Sequence, residues 1–342
     1  EASGTGLAAV AETPRAPILR RRRSCLMNSE QRSNQPLTLS AVLLTLLTVV
    51  LWAGTPTAIR FSTDLVPPVS VAGLRFAVAI VFMFFWSWSH GTSLRLSWLE
   101  LRKPLIGGVL LFFQIGLFTL GIHWSNASHG TIFINTFIFW LVAIDHFVTK
   151  MERLSLRPII GLILAAFGVG LILATTARPG TATVQETASL DGDCLLMLSA
   201  LILAVKIAYT KYSVGSIHPD SFVFWHAVFG TILFACWGFT VEGFRFSVLA
   251  DFQNAKTQAA LAGIAYQGIA VAGLCFAIQA RLLRKHSASK IAVFSFATPL
   301  FGILFAVLLR GDPVSPWLFV SGLAVAIGIL LVNLKSAPRP VE

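Results

Sequence analysis

The sequence predicts an all-α membrane protein of ten transmembrane helices, arranged as two inverted five-helix repeats. Three observations lead there. The chain has 342 residues, 56% hydrophobic and 12% charged, about half the charged share of a soluble domain. Its apolar residues gather in ten continuous stretches of about 20 residues, the length that crosses a bilayer as a helix. These divide into two sets of five, and an odd number turns the second set over relative to the first. Continuous apolar stretches mean helices, because a backbone in lipid must satisfy its own hydrogen bonds. A β-barrel would show alternating segments of about ten residues instead.

The first segment, residues 1–36, is basic and carries Arg20-Arg21-Arg22-Arg23 with no apolar run resembling a signal-peptide core. It reads as a disordered cytoplasmic tail or, alternatively, as a leader upstream of a start at Met27. The first repeat, residues 37–178, holds spans at 39–59, 67–88, 104–122, 130–149 and 157–177. The second, residues 179–342, holds spans at 190–211, 221–241, 259–280, 288–309 and 315–334. Pro67-Pro68, Pro104, Pro158, Pro219 and Pro316 fall at or near span starts, where a missing N–H costs little. Thr55-Pro56 and Thr298-Pro299 mark local breaks whose freed carbonyls would face a water-filled pathway. The connections are too short to hold a separate soluble domain.

The net charge of +11 is a topology signal rather than a nucleic-acid one. With the N-terminus inside, the cytoplasmic segments hold 19 Lys and Arg and the outer segments five, Arg60, Arg178, Arg245, Lys256 and Arg310. The positive-inside rule therefore places both termini in the cytoplasm. The cysteines Cys25, Cys194, Cys236 and Cys275 lack metal or redox spacing, and Cys236 and Cys275 read as packing residues in apolar helices. Neither a phosphate-binding loop nor a zinc His-Glu-x-x-His helix occurs, so no cofactor, metal or nucleotide hydrolysis is expected.

The halves also match in detail. Ile59-Arg60 followed by Pro68 aligns with Thr210-Lys211 followed by Pro219, which sets Arg75 opposite His226. Asn126-Ala127-Ser128 aligns with Ser287-Ala288-Ser289, and Glu152-Arg153-Leu154-Ser155 with Asp312-Pro313-Val314-Ser315. Inverted repeats around a midplane site are a signature of secondary transporters.

Taken with Leu51-Trp52-Ala53-Gly54, Ala58-Ile59-Arg60, Val66-Pro67-Pro68 and Leu74-Arg75-Phe76, these segments resemble the drug/metabolite transporter superfamily, EamA type, over about residues 39–335. The pattern departs at Phe137-Ile138, where the family usually has a proline in the fourth helix, and at Asp312-Pro313, which replaces Glu152-Arg153 of the first half. The resemblance implies ten helices, a central cavity and export or exchange of small metabolites, amino acids and related compounds foremost, by alternating access in a bacterial inner membrane. It implies a small-molecule substrate and the lipid bilayer as partners, no nucleic acid, and leaves room for a homodimer.

Ionisable residues inside a span are costly and normally face the bundle interior. Arg75 is a candidate cationic substrate contact or outer gate, the alternative being a snorkelling arginine that holds the fold. Lys206 could bind a carboxylate or exchange a proton, unless it snorkels to the inner surface; Tyr209, at i+3, shares its face. Asp145, His146 and His226 are candidates for proton coupling, against a role as interfacial anchors. Trp52, Thr55, Gln114, Asn135, Gln267 and Ser295 complete the candidate pathway, the alternative for each being a helix-to-helix hydrogen bond. Two other functions stay open: a sugar-phosphate or nucleotide-sugar antiporter, which would want more cations, and an intramembrane enzyme, for which Asp145-His146 is the one supporting pair.

Overall fold

A computed structural model describes residues 37–125, 130, 133–144, 156–176 and 189–310, with the single positions 320, 323, 324, 327 and 331. All regular elements among the described residues are helical. In order they are α1 (Leu39–Ala53), α2 (Thr55–Thr63), α3 (Pro68–Ser89), α4 (Trp98–Trp124), α5 (Phe137–Ala143), α6 (Leu156–Thr176), α7 (Leu190–Val214), α8 (Pro219–Thr240), α9 (Ala255–Tyr266), α10 (Phe276–Lys285), α11 (Ala288–Ala292) and α12 (Thr298–Arg310). A π-helical stretch, Gln267–Cys275, joins α9 to α10 without a break, and a 3-10 turn, Val293–Ala297, joins α11 to α12. Six helical stretches among the described residues are long and apolar enough to cross a membrane: Leu39–Thr63, Pro68–Ser89, Trp98–Trp124, Leu190–Val214, Pro219–Thr240 and Ala255–Lys285. Their outward faces carry large exposed apolar residues such as Phe84, Phe85, Phe113, Leu198, Ile232 and Phe239. A water-soluble monomer rarely exposes so continuous an apolar surface; a bilayer accommodates it.

Local chemistry explains the helix ends. Pro68 and Pro219 stand in the first turns of α3 and α8. The helix α4 starts earlier than its proline suggests: Ser97 and Glu100 form a reciprocal capping box, so Pro104 lies inside the helix, not at its start. Thr38, Ser189 and Asn254 cap α1, α7 and α9 by accepting a backbone N–H on the side chain. At the start of α3, Glu242 accepts from the N–H groups of Val69 (2.9 Å) and Ser70 (2.7 Å) and from the Ser70 hydroxyl (2.6 Å). That carboxylate, just beyond α8, satisfies donors that α3 leaves unpaired at its start.

The bundle is built on α3, α4, α7 and α8. Where α4 crosses α8, a side chain on Gly108 would stand 2.6 Å from Phe229 Cβ and 3.0 Å from the Gly230 nitrogen. Where α4 ends beside α7, a Cβ on Gly192 would stand 2.8 Å from the Ser125 nitrogen. Small residues at such crossings let apolar helices approach closely in lipid, where packing drives association. Gly170, by contrast, has no described atom within 4 Å of its missing Cβ, so it makes no such contact among the described residues. Cys275 is buried, as a packing residue would be, but Cys236 is exposed on α8.

One end of the bundle is fastened by Arg281, whose guanidinium grips the fully buried Asp220 carboxylate at 2.9 and 2.6 Å. Beside it, Trp225 donates to the Leu94 carbonyl (2.7 Å) and Ser221 to the Ser93 carbonyl (2.9 Å), tying the α3–α4 connection to the start of α8.

Candidate functional site

The first apolar stretch is not one straight helix. α1 stops at Ala53, Gly54 makes the junction, and Thr55-Pro56 opens α2. Pro56 cannot donate a backbone hydrogen bond, and the carbonyl of its i−4 partner, Trp52, accepts from the Gly54 N–H instead. The Tyr266 hydroxyl, from the end of α9, donates to the Leu51 carbonyl at this break. Gly54 is required for that approach: a Cβ there would lie 2.6 Å from the Tyr266 oxygen.

The break opens onto a cavity of about 120 Å³ at the centre of the bundle, roughly ten times the ~10–15 Å³ that one water needs. Polar groups reach it from nine elements or segments: Trp52 from α1, Thr55 from α2, Arg75 from α3, Gln114 from α4, Asn135 from the segment before α5, Lys206 from α7, Gln279 from α10, Ser295 from the 3-10 turn and Thr298 from α12. Ile115, Phe118, Phe137, Leu203 and Phe276 make the remaining walls largely apolar.

Arg75 is 1% exposed and does not snorkel. Its Nη1 donates to Gln267 Oε1 (3.3 Å), its guanidinium lies 4.9 Å from the Phe76 ring centre, and its Nε has no partner among the described residues. Gln267 therefore sits behind Arg75 and not in the cavity wall, donating in turn to Ser62 Oγ (3.3 Å).

Lys206 is 6% exposed and does not snorkel either. A helical side chain leans toward the helix N-terminus, so its ammonium points away from the Val214 end of α7. It donates to Gln114 Oε1 (2.7 Å) and lies 4.8 Å from the Phe276 ring centre. Ser199, two turns closer to the start of α7, donates to the Gln114 carbonyl (2.7 Å). Gln114 thus binds α4 to α7 at two levels.

Other candidates lie apart. Tyr209 is outside the cavity wall and donates to the Lys103 carbonyl (3.2 Å). His226 is buried but outside the wall, its Nδ1 2.7 Å from the Val223 carbonyl oxygen and its ring stacked on Phe222. Asp145 and His146 lie outside the described residues. Gln279 and Thr298 also line the cavity; Gln279 was not among the candidates, and Thr298 was read only as part of a helix break. Gln279 could have been found as a lone amide in an apolar stretch. Phe276 carried no signal, because its place depends on the π-helical stretch before it, which turns the downstream face relative to an α-helix.

A narrow extension of about 10 Å³ shares Trp52, Phe137, Ile207, Gln279 and Ser295 with the main cavity and continues to Leu283, Ala288 and Ile291. It leads toward the end of the bundle that carries Arg284, Lys285 and Lys290.

The sequence profile of the EamA-like transporter family matches this chain twice, over residues 39–174 and 190–334. The chain belongs to that family, and is an integral, multi-pass membrane transporter. It is similar to an uncharacterized transporter of Bacillus subtilis (strain 168), 20% identical over 302 residues, which cover 88% of this chain and 99% of the relative. An uncharacterized transporter of Archaeoglobus fulgidus is 22% identical over 298 residues, 86% of this chain and 97% of its own. Among solved structures, one crystal structure 17% identical superposes with a TM-score of 0.68, covering 89% of this chain and 99% of that one. At that identity the likeness shows the fold alone.

Proposed function

We propose that this chain is a secondary-active transporter that exports or exchanges small organic metabolites, amino acids and related compounds foremost, by alternating access. In this reading ten helices form two inverted repeats with both termini in the cytoplasm of a bacterial inner membrane. The repeats rock about the central cavity, driven by a proton or counter-substrate gradient. The observation that carries the reading is the cavity itself. It is small-molecule sized and walled by residues from both family-matched segments, with Arg75 and Lys206 turned inward. Largely apolar walls suit a metabolite with an apolar body better than a sugar, whose hydroxyls would each need a partner.

The test is expression in a strain lacking its own exporters, challenged with toxic amino-acid analogues and a metabolite panel. Resistance to one compound class, lost in Lys206→Ala at equal membrane abundance, is the expected result. Resistance unchanged in Lys206→Ala would remove that residue from the mechanism. No resistance to any compound would contradict export.

A further inference from the structure

We infer that the cavity selects organic anions carrying no compensating ammonium group: a carboxylate on an apolar or aromatic body. The inference rests on the reading of the cavity as the substrate site and, within the small organic metabolites proposed above, sets organic acids ahead of the zwitterionic amino acids.

Four observations lead to it. First, the wall holds two buried cations, Arg75 and Lys206, and none of the described lining residues is Asp or Glu. Buried charge calls for a partner of opposite sign, and here the groups around both cations are neutral amides, hydroxyls and rings. Second, donors are left over. Arg75 and Thr55 line the cavity, and Arg75 Nε and Thr55 Oγ1 are buried with no hydrogen-bond partner among the described residues. Lysine carries three donors, and Gln114 takes one from Lys206. A carboxylate offers up to four acceptor sites and fits this set.

Third, an ammonium would be a third cation in a wall that already holds two, and the wall ring nearest Lys206, Phe276, already lies against a cation at 4.8 Å. Fourth, Ile115, Phe118 and Phe137 offer the rest of the ligand an apolar surface with no further polar requirement.

The test uses three probes that share one phenyl body: 3-phenylpropanoate, L-phenylalanine, which adds an ammonium, and 2-phenylethylamine, which has the ammonium but no carboxylate. Binding to the purified full-length transporter in chloride-free buffer is followed by calorimetry. The acid is expected to bind at least tenfold more tightly than phenylalanine, and the amine not at all. Arg75→Gln and Lys206→Gln should each weaken the acid at least tenfold, and Thr55→Val severalfold. The ranking in the unmodified protein stands even if a variant fails to fold. Phenylalanine or the amine binding as tightly as the acid, or no binding of the acid at millimolar concentration, overturns the inference. Flux of the same probes in proteoliposomes separates the two claims. Transport of phenylalanine but not of the acid would keep the transporter reading and remove the anion assignment. Acid binding without any flux would do the reverse.

Discussion

Replacing Gln114 by glutamate tests the cavity chemistry with almost no change of shape. The Gln114 Oε1 stands 2.7 Å from the Lys206 ammonium, and the glutamate oxygen takes the same place with a full charge. At an effective dielectric near 20, a unit pair at that distance attracts by about 6 kcal/mol. Burying the new carboxylate costs several kcal/mol. The two terms nearly cancel, so Gln114→Glu should melt within a few degrees of the unmodified protein. Ligand binding should respond quite differently. A carboxylate ligand would find Lys206 already held by a fixed anion and lose one charge-assisted hydrogen bond, worth about 1.5–3 kcal/mol, or roughly 10- to 150-fold in Kd. Gln114→Leu makes the converse control: it strips the ammonium of its acceptor and should lower stability by about 1–3 kcal/mol. Thermal unfolding and 3-phenylpropanoate calorimetry on both variants decide the matter. Acid binding by Gln114→Glu within twofold of the unmodified protein would refute the reasoning.

Other consequences are equally checkable. Gly54→Ala places a methyl 2.6 Å from the Tyr266 oxygen; the clash should cost about 1–3 kcal/mol, and adding Tyr266→Phe should restore part of the melting temperature. Asp220→Asn gives up the two-point grip of Arg281. Because Arg281 is 35% exposed and can turn to water, the loss should be about 1–3 kcal/mol, below the 3–5 typical of a fully buried pair. Filling the narrow extension with Leu283→Trp should leave ligand binding within threefold while stopping flux in proteoliposomes; unchanged flux would show that the extension is not on the route.

The membrane fold was legible because hydropathy is a summed signal: twenty residues must all agree, and the starts of the apolar stretches at 39, 67, 190 and 221 fall within two residues of helices in the structure. The start of α4 was missed because a capping box at Ser97 and Glu100 outweighs the conspicuous Pro104. At the site, charge made Arg75 and Lys206 stand out, since an ionisable group in an apolar stretch has few reasons to be there. Which way each points was not legible. Snorkelling and inward orientation share one sequence pattern, and only the distance from Lys206 to Gln114 separates them. Gln267 and Tyr209 were as conspicuous as Gln114, yet one braces Arg75 from behind and the other holds Lys103. Phe276 and the π-helical turn that aims it gave no sign, because any apolar residue satisfies hydropathy at that position.

Counterflow in proteoliposomes tests the central claim most directly. Vesicles loaded with unlabelled substrate and diluted into labelled substrate should accumulate label above equilibrium when they hold the unmodified protein, with no nucleotide present. Accumulation should be lost with Lys206→Ala at matched protein and intact fold. Undiminished counterflow in Lys206→Ala, or none in the unmodified protein for any ligand shown to bind, would contradict a carrier built around this cavity.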